Sequence, residues 1–337
     1  MEQQVRYGRD VRPGTVVARC RRFGPSTCFL CSRPLRTKNR TEEHVFPHWL
    51  QKQFQLWNQS LTLINGTSIR YRQLKVPCCR TCNNEYLSSL EGRVGSAVLN
   101  GPEVVRALPE LDLYLWLGKI FFGVLYKEYL LTHDRTKPRS RQIVPRELLE
   151  QLHLHHLFLQ AARVKIEFHG SPGSVFIFRL QVHRNLHFQF HYEDSFSLTA
   201  ACRIGNVGVL ASFADGGMVK RLMEPVVQEY YERELHPLQF DELTAQLIYN
   251  VLRQQRTPKS ATIESPSGQI VGIPNLPGFS LKPWFAPWIQ EEYARVLAQI
   301  LGVPLDTVYR PSGEVATWLH NQNGEFWELD VNDGTWP

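Results

Sequence analysis

Long uninterrupted apolar runs are scarce in this chain of 337 residues, and its N-terminus carries none. The opening MEQQVRYGRD mixes two acids with two arginines and lacks an apolar h-region. No secretory signal is therefore expected, and a cytoplasmic location is. The one membrane-like stretch, residues 111–131, is interrupted by Lys119, Lys127 and Glu128. A buried core helix is expected there rather than a membrane span. Internal repeats are absent, which argues against a solenoid. Cysteine is sparse and unevenly placed. Of seven, at positions 20, 28, 31, 78, 79, 82 and 202, five fall in or beside two Cys-x-x-Cys pairs. That clustering suits metal binding in a reducing compartment better than a disulfide framework. Acid is scarce in the first hundred residues, where 16 Lys and Arg face 6 Asp and Glu; the remainder holds 22 against 26. Such asymmetry points to a polyanionic partner for the N-terminal part, and phosphate backbones are the usual one.

What is present is enough apolar sequence, 43%, to bury a core. The chain reads as α+β, with a boundary near Asn100-Gly101-Pro102 between a cysteine-containing part, 1–100, and a larger part, 101–337. Residues 1–25 are rich in arginine and read as an extended basic arm or short strands. From Asn83 to Leu99, helical spacing places Leu87, Leu90, Val94 and Val98 on one face. Further helices are expected at 111–131, 145–163, 224–235, 239–255 and 286–301. Four short runs, 174–182, 186–193, 195–204 and 206–213, alternate and are rich in β-branched and aromatic residues; they predict an antiparallel sheet. Residues 256–280 read as a loop, and Asn323-Gly324 as a hairpin turn. The histidines at 153, 155, 156, 183, 187 and 191 have no accompanying Cys or carboxylate spacing and read as ordinary surface or core residues.

The chemistry is concentrated between Cys28 and Asn84. Cys28-Phe-Leu-Cys31 and Cys79-Arg-Thr-Cys82 are each spaced to chelate one ion from a tight turn, and together they close a four-cysteine zinc site. Cys78 competes with Cys79 for the third ligand position. Two other arrangements fit less well. A finger made by Cys28, Cys31, His44 and His48 would put Pro47 inside the helix that must carry both histidines. A zinc deaminase needs an upstream His-x-Glu that is missing. Between the pairs stands Glu43-His44-Val45-Phe46-Pro47. Neutral imidazole is a suitable base near pH 7. A carboxylate with an amide oxygen suits a hard divalent cation that offsets charge developing on a phosphate.

The order Cys-x-x-Cys, Glu-His-x-x-Pro, Cys-x-x-Cys-Asn resembles the HNH (ββα-metal, treble-clef) endonucleases, in the subgroup stapled by a four-cysteine zinc site. The match runs through Thr41–Leu50 and Val76–Asn84 and covers roughly 26–100; residues 101–337 resemble no family. The resemblance implies a β-hairpin and a helix around one catalytic Mg²⁺ or Mn²⁺, with structural Zn²⁺ on Cys28, Cys31, Cys79 and Cys82. His44 matches the family's general base, while Glu43 and Asn83 match its metal ligands. Glu91, further along the helix, is an additional candidate. The family's middle Asn is missing; Gln73 or Asn65 is its nearest substitute. Double-stranded DNA is the substrate the family implies, with RNA the second candidate. Arg19, Arg21, Arg22 and Arg80 are the expected phosphate contacts. The larger part would recognise DNA, bind a protein partner or sense a signal. Restriction or anti-phage defence is the role suggested by analogy, and a non-catalytic zinc-stapled binding module is the alternative.

Overall fold

In the computed structural model the described residues are 23–134, 136–137, 140–264, 269–275 and 282–333. The architecture is mixed α and β with mainly antiparallel sheets. The chain forms two compact units that are discontinuous in sequence. One takes the described residues of 1–96, 111–170 and 260–275; the other takes 97–110, 171–259 and those of 276–337. The Asn-Gly-Pro stop lies between two of the points where the chain passes from one unit to the other.

The first unit is built around β1 (Arg40–His44) paired antiparallel with β4 (Lys75–Cys79). Between them come α1 (His48–Gln53) and a small hairpin, β2 (Ser60–Thr62) with β3 (Ser68–Arg70). Directly after β4 the chain turns helical: a π segment, Cys82–Leu87, leads into α2 (Ser88–Leu99). Leu87, Leu90, Val94 and Val98 are all buried, as the helical spacing predicts. The long helix α4 (Glu110–Leu130) has buried residues on every side, so its apolar run belongs to a core helix. No helix among the described residues is long and apolar enough to cross a membrane. Two glycines let α4 lie close to its neighbours. A Cβ at Gly123 would come 3.1 Å from the Val45 methyls, and one at Gly118 would come 2.8 Å from the His155 ring.

The helix expected over 145–163 is broken into α5 (Arg146–Gln151) and α6 (His153–Leu159), with Pro145 as the N-cap rather than inside the first turn. Part of the stretch read as a loop, 256–280, is strand. β11 (Ala261–Glu264) pairs with β12 (Ile270–Ile273), and β12 runs parallel to β5 (Ile166–Phe168). Gly272 is needed there, since a Cβ would sit 2.7 Å from the Phe168 ring.

The second unit opens with a short helix, α3 (Pro102–Arg106). Its sheet has strand order β10-β6-β9-β8-β7, from β6 (Gly173–Leu180), β7 (Phe190–Ser195), β8 (Thr199–Ile204), β9 (Val207–Phe213) and β10 (Glu234–Leu235). Four strands are antiparallel as expected; β10 adds parallel at the β6 edge. The helix expected over 224–235 begins earlier, as α7 (Met218–Val227), with Pro225 inside it. Asp215 starts it, accepting hydrogen bonds from Val219 N–H at 2.9 Å and the Ser174 hydroxyl at 2.6 Å. A core of Phe176, Phe178, Leu210, Met223, Phe240 and Leu243 joins the sheet to α7 and α8 (Pro237–Leu252). Against α8 pack α9 (Gln290–Leu301) and α10 (Leu305–Val308). The Asn323-Gly324 turn closes a single bridge, His320 to Phe326, rather than a pair of strands.

Candidate metal centre and the Glu-His turn

The two Cys-x-x-Cys turns meet. Cys28, Cys31, Cys79 and Cys82 are all buried, and their sulfurs lie within 4.8 Å of one another. Cys31 Sγ and Cys79 Sγ are 3.7 Å apart. Zn–S bonds of about 2.3 Å in a tetrahedron put sulfurs about 3.8 Å apart, so the cluster has the size and the ligands a structural metal ion such as zinc needs. Cys78 stays outside this group, although its sulfur is 3.8 Å from that of Cys28. The choice left open in the sequence falls on Cys79. His44 and His48 are not part of the cluster either.

Local backbone geometry explains why the thiols converge. Ser32 N–H bonds back to Cys28 C=O at 2.9 Å and Ser32 adopts φ 57°, which closes the first turn tightly. Phe29 N–H reaches Pro77 C=O at 2.9 Å, holding that turn against β4. The second pair spans the end of β4 and the first helical turn. From α6, His156 Nε2 meets Phe29 C=O at 2.9 Å, and Gln160 Nε2 donates to Leu30 C=O at 2.8 Å. Burial pushes the His156 imidazole down to about 4, so near neutral pH it is an uncharged clamp. His155, pushed by burial to about 3, meets Gly118 C=O at 3.1 Å. These two are core histidines, as the sequence suggests. The Cys79 thiol is held far below the ordinary thiol range by hydrogen bonds from Cys28, Cys31 and Cys82. Cys31 and Cys82 are pushed up by the neighbouring sulfurs, Cys28 first. Four thiolates this close repel one another; a divalent cation is what lets all of them ionise.

Glu43 and His44 end β1 on opposite faces of the strand. Glu43 is 4% exposed and faces inward, where it meets a residue with no counterpart in the motif. Lys119, on α4, is 1% exposed. Its ammonium lies 2.6 Å from Glu43 Oε1 and 2.6 Å from Glu91 Oε1. It also donates to His44 C=O at 2.8 Å and Val45 C=O at 3.0 Å. One buried cation thus joins β1, α2 and α4. Burial pushes the Glu43 carboxyl up to about 7, with Lys119 opposing and Glu91 adding to the rise. Burial alone would lower the Lys119 ammonium; Glu43 and Glu91 together outweigh it and hold it above its ordinary value. One ammonium cannot neutralise two carboxylates, and Glu43 is the more buried of the two.

His44 is half-buried and lies outside this triad. Its Nδ1 is 3.2 Å from Gln51 Nε2, which also donates to Phe46 C=O at 2.7 Å. The carbonyl fixes the amide nitrogen's position, so Nδ1 is the acceptor and the neutral ring carries its proton on Nε2. Burial, and secondarily Lys75, lowers the His44 pKa below 6.5. Asn83 stands at the first turn of the helix and donates from Nδ2 to Thr41 Oγ1 and Glu42 C=O, both at 3.1 Å. Neither substitute for the middle Asn stands beside His44 as its hydrogen-bond partner. Asn65 donates to His133 C=O and accepts from Thr67 N–H, and Gln73 is exposed. Arg80 is exposed directly after Cys79. Arg19, Arg21 and Arg22 lie outside the described residues.

Sequence reasoning missed Lys119 and Gln51. Lys119 was visible as the charge that interrupts an apolar run, which is a signal for a buried ion pair once the run is taken as a core helix. The donor set around Glu43 is thin for a divalent cation: one carboxylate already paired with an ammonium, and one amide whose nitrogen faces the hairpin. No protein-family model, no curated protein and no solved structure matches this chain.

Proposed function

We propose that the chain is a metal-dependent endonuclease of the HNH type, hydrolysing phosphodiester bonds in nucleic acid, with DNA as the first substrate to test. The observation that carries the reading is the placement of Glu43-His44 at the end of β1, hydrogen-bonded through its strand to the helix that bears Asn83, beside the four-cysteine cluster. Zinc on Cys28, Cys31, Cys79 and Cys82 staples this segment. Glu43 and Asn83 are the residues that would hold Mg²⁺ or Mn²⁺, and the ion would offset charge on the scissile phosphate. His44, neutral near pH 7, accepts the proton of the attacking water. Base action at Nδ1 requires that water displace Gln51 from that nitrogen. Defence against foreign DNA is the role suggested by family analogy.

Plasmid nicking with Mg²⁺ or Mn²⁺ tests this reading. His44→Ala is expected to lower cleavage by roughly 10²- to 10⁴-fold, the usual contribution of a positioned base, while binding persists. Glu43→Ala and Asn83→Ala are expected to raise the divalent-ion concentration required. A wild-type chain that binds nucleic acid but never cuts it supports a second reading, a zinc-stapled binding module. The Lys119 ion pair favours that second reading, because it already supplies a positive charge at Glu43.

The arginine-rich arm supports binding to phosphates on charge alone. Deleting residues 1–22 is expected to weaken binding to all sequences about equally. It should flatten the slope of log affinity against log salt by about 0.9 for every phosphate the arm neutralises. Binding across a salt series measures both. An unchanged slope would mean that phosphates are met elsewhere, with Arg80 the next residue to test.

A further inference from the structure

Beside His44 the surface holds an indole that nothing above uses. Trp57 is 40% exposed. Its ring centroid is 5.9 Å from that of His44 and 5.6 Å from that of His48, with the two imidazoles 6.4 Å apart. The indole is held outward by its own turn. Leu56 beside it is 2% exposed, and Gln55 before it is left-handed at φ 53°. Gln59 N–H closes the turn on Leu56 C=O at 2.9 Å, and Tyr71 N–H ties Gln59 C=O to the turn that follows β3 at 3.0 Å. Arg72 donates to Asn58, the residue after the indole. A large apolar ring fixed in water, rather than folded onto the core, suits a flat ligand.

The surrounding charge says what else that ligand carries. Lys75 is the cross-strand partner of His44. Lys52 lies one helical turn after His48, on the same face of α1. Arg72 flanks the indole's turn. Against these cations Glu42 sets one exposed carboxylate, two positions before His44. A nucleotide unites the two, a flat aromatic group and an anion. Inside a duplex both faces of a base are covered by its neighbours, so only a base out of the stack can lie on an indole.

We propose that Trp57, edged by His44 and His48, is a stacking shelf for an unpaired nucleobase, and that Lys52, Lys75 and Arg72 meet the phosphates on either side of it. The site then prefers single-stranded nucleic acid, or an opened stretch of duplex, to a closed double helix. The inference rests on the nuclease reading only for why a base should lie beside His44; the shelf itself is a binding site and is tested as one.

The test measures affinity of the full-length chain for a short labelled oligonucleotide, single-stranded or annealed to its complement, without added Mg²⁺ or Mn²⁺. Wild type is expected to bind the single strand more tightly. Trp57→Ala should weaken single-strand binding roughly 5- to 100-fold, the range for loss of one base–aromatic stack, and leave duplex binding unchanged. Trp57→Phe should keep most of the affinity while losing part of the tryptophan-fluorescence quenching that the single strand causes, a readout independent of any effect on folding. The shelf is overturned if Trp57→Ala binds the single strand as wild type does, or loses affinity for both forms equally. A chain that discriminates through Trp57 but never cuts, even with Mn²⁺, overturns the nuclease reading and upholds the shelf. A chain that cuts but is indifferent to Trp57 does the reverse, and one that binds neither form overturns both.

Discussion

Cys79→Ser should abolish metal binding at the four-cysteine cluster and leave the N-terminal segment unfolded. Zinc folding of small peptides is worth about 10–16 kcal/mol near pH 7, as large as the whole stability of an ordinary domain, about 5–15 kcal/mol. The apolar core around Phe29, Phe46 and Leu74 will recover part of that loss, as will the hydrogen bonds that tie Phe29 and Leu30 to Pro77, His156 and Gln160. Metal analysis of purified protein is expected to fall from one zinc per chain to a small fraction. Limited proteolysis should then cut between residues 23 and 100. Cys78→Ala is the matched control: its sulfur touches Cys28 yet lies outside the cluster, so zinc should be retained. If Cys78→Ala lost zinc and Cys79→Ser kept it, the ligand assignment would be reversed. Lowering the pH should release zinc from the wild type, because protons compete for the thiolates.

Lys119→Met carries the second largest effect. The substitution preserves apolar bulk and removes the ammonium that Glu43, Glu91 and two backbone carbonyls share. Breaking a buried ion pair from one side costs about 3–5 kcal/mol, since the other side is left charged and dry. At this size that corresponds to a fall in melting temperature of roughly 10 °C. A pH signature separates this cause from simple cavity formation. The Glu43 carboxyl is raised to about 7 in the folded chain, above its ordinary 4.5. Between those values the folded chain holds a proton that the unfolded chain releases, so this group's contribution falls as pH rises through the window. Without Lys119 the Glu43 carboxyl rises further, and the variant should be more destabilised at pH 8 than at pH 6. Adding Glu43→Gln to Lys119→Met should recover part of the loss. Melting curves of wild type, Lys119→Met, Glu43→Gln and the double variant at the two pH values give the answer; additive losses with no pH dependence would mean that the pair is not coupled.

Elements with a short-range pattern are legible in the amino-acid sequence. The two cysteine pairs, the helix that buries Leu87, Leu90, Val94 and Val98, and four strands of the large sheet all follow from spacing alone. What stays hidden depends on partners far along the chain. Lys119 meets Glu91 and Glu43 from 28 and 76 positions away, and no local pattern encodes that meeting. Ala261–Glu264 and Ile270–Ile273 sit among glycines and prolines, so they look like loop until β5 is there to pair with. Pro225 looks like a helix start because proline favours the first turn. Asp215 starts the helix earlier and leaves the proline inside it. Gln51 follows the Glu-His turn so closely that it reads as ordinary helix surface, yet it is fully buried and sets which ring nitrogen of His44 bears the proton.

The parallel pairing of β12 with β5 also sets a timetable for synthesis. All four cysteines of the cluster leave the ribosome early, so the two Cys-x-x-Cys turns can meet while most of the protein is still unmade. β5 must then wait for a neighbour that is translated roughly a hundred residues later, a delay of about 5–20 s at ordinary elongation rates. During that interval its edge is open to other chains. Fragments that stop near residue 170 make the wait permanent. Expression trials of such fragments should give aggregated protein, whereas a circular permutant opened after residue 170, in which β12 is made ahead of β5, should remove the exposure.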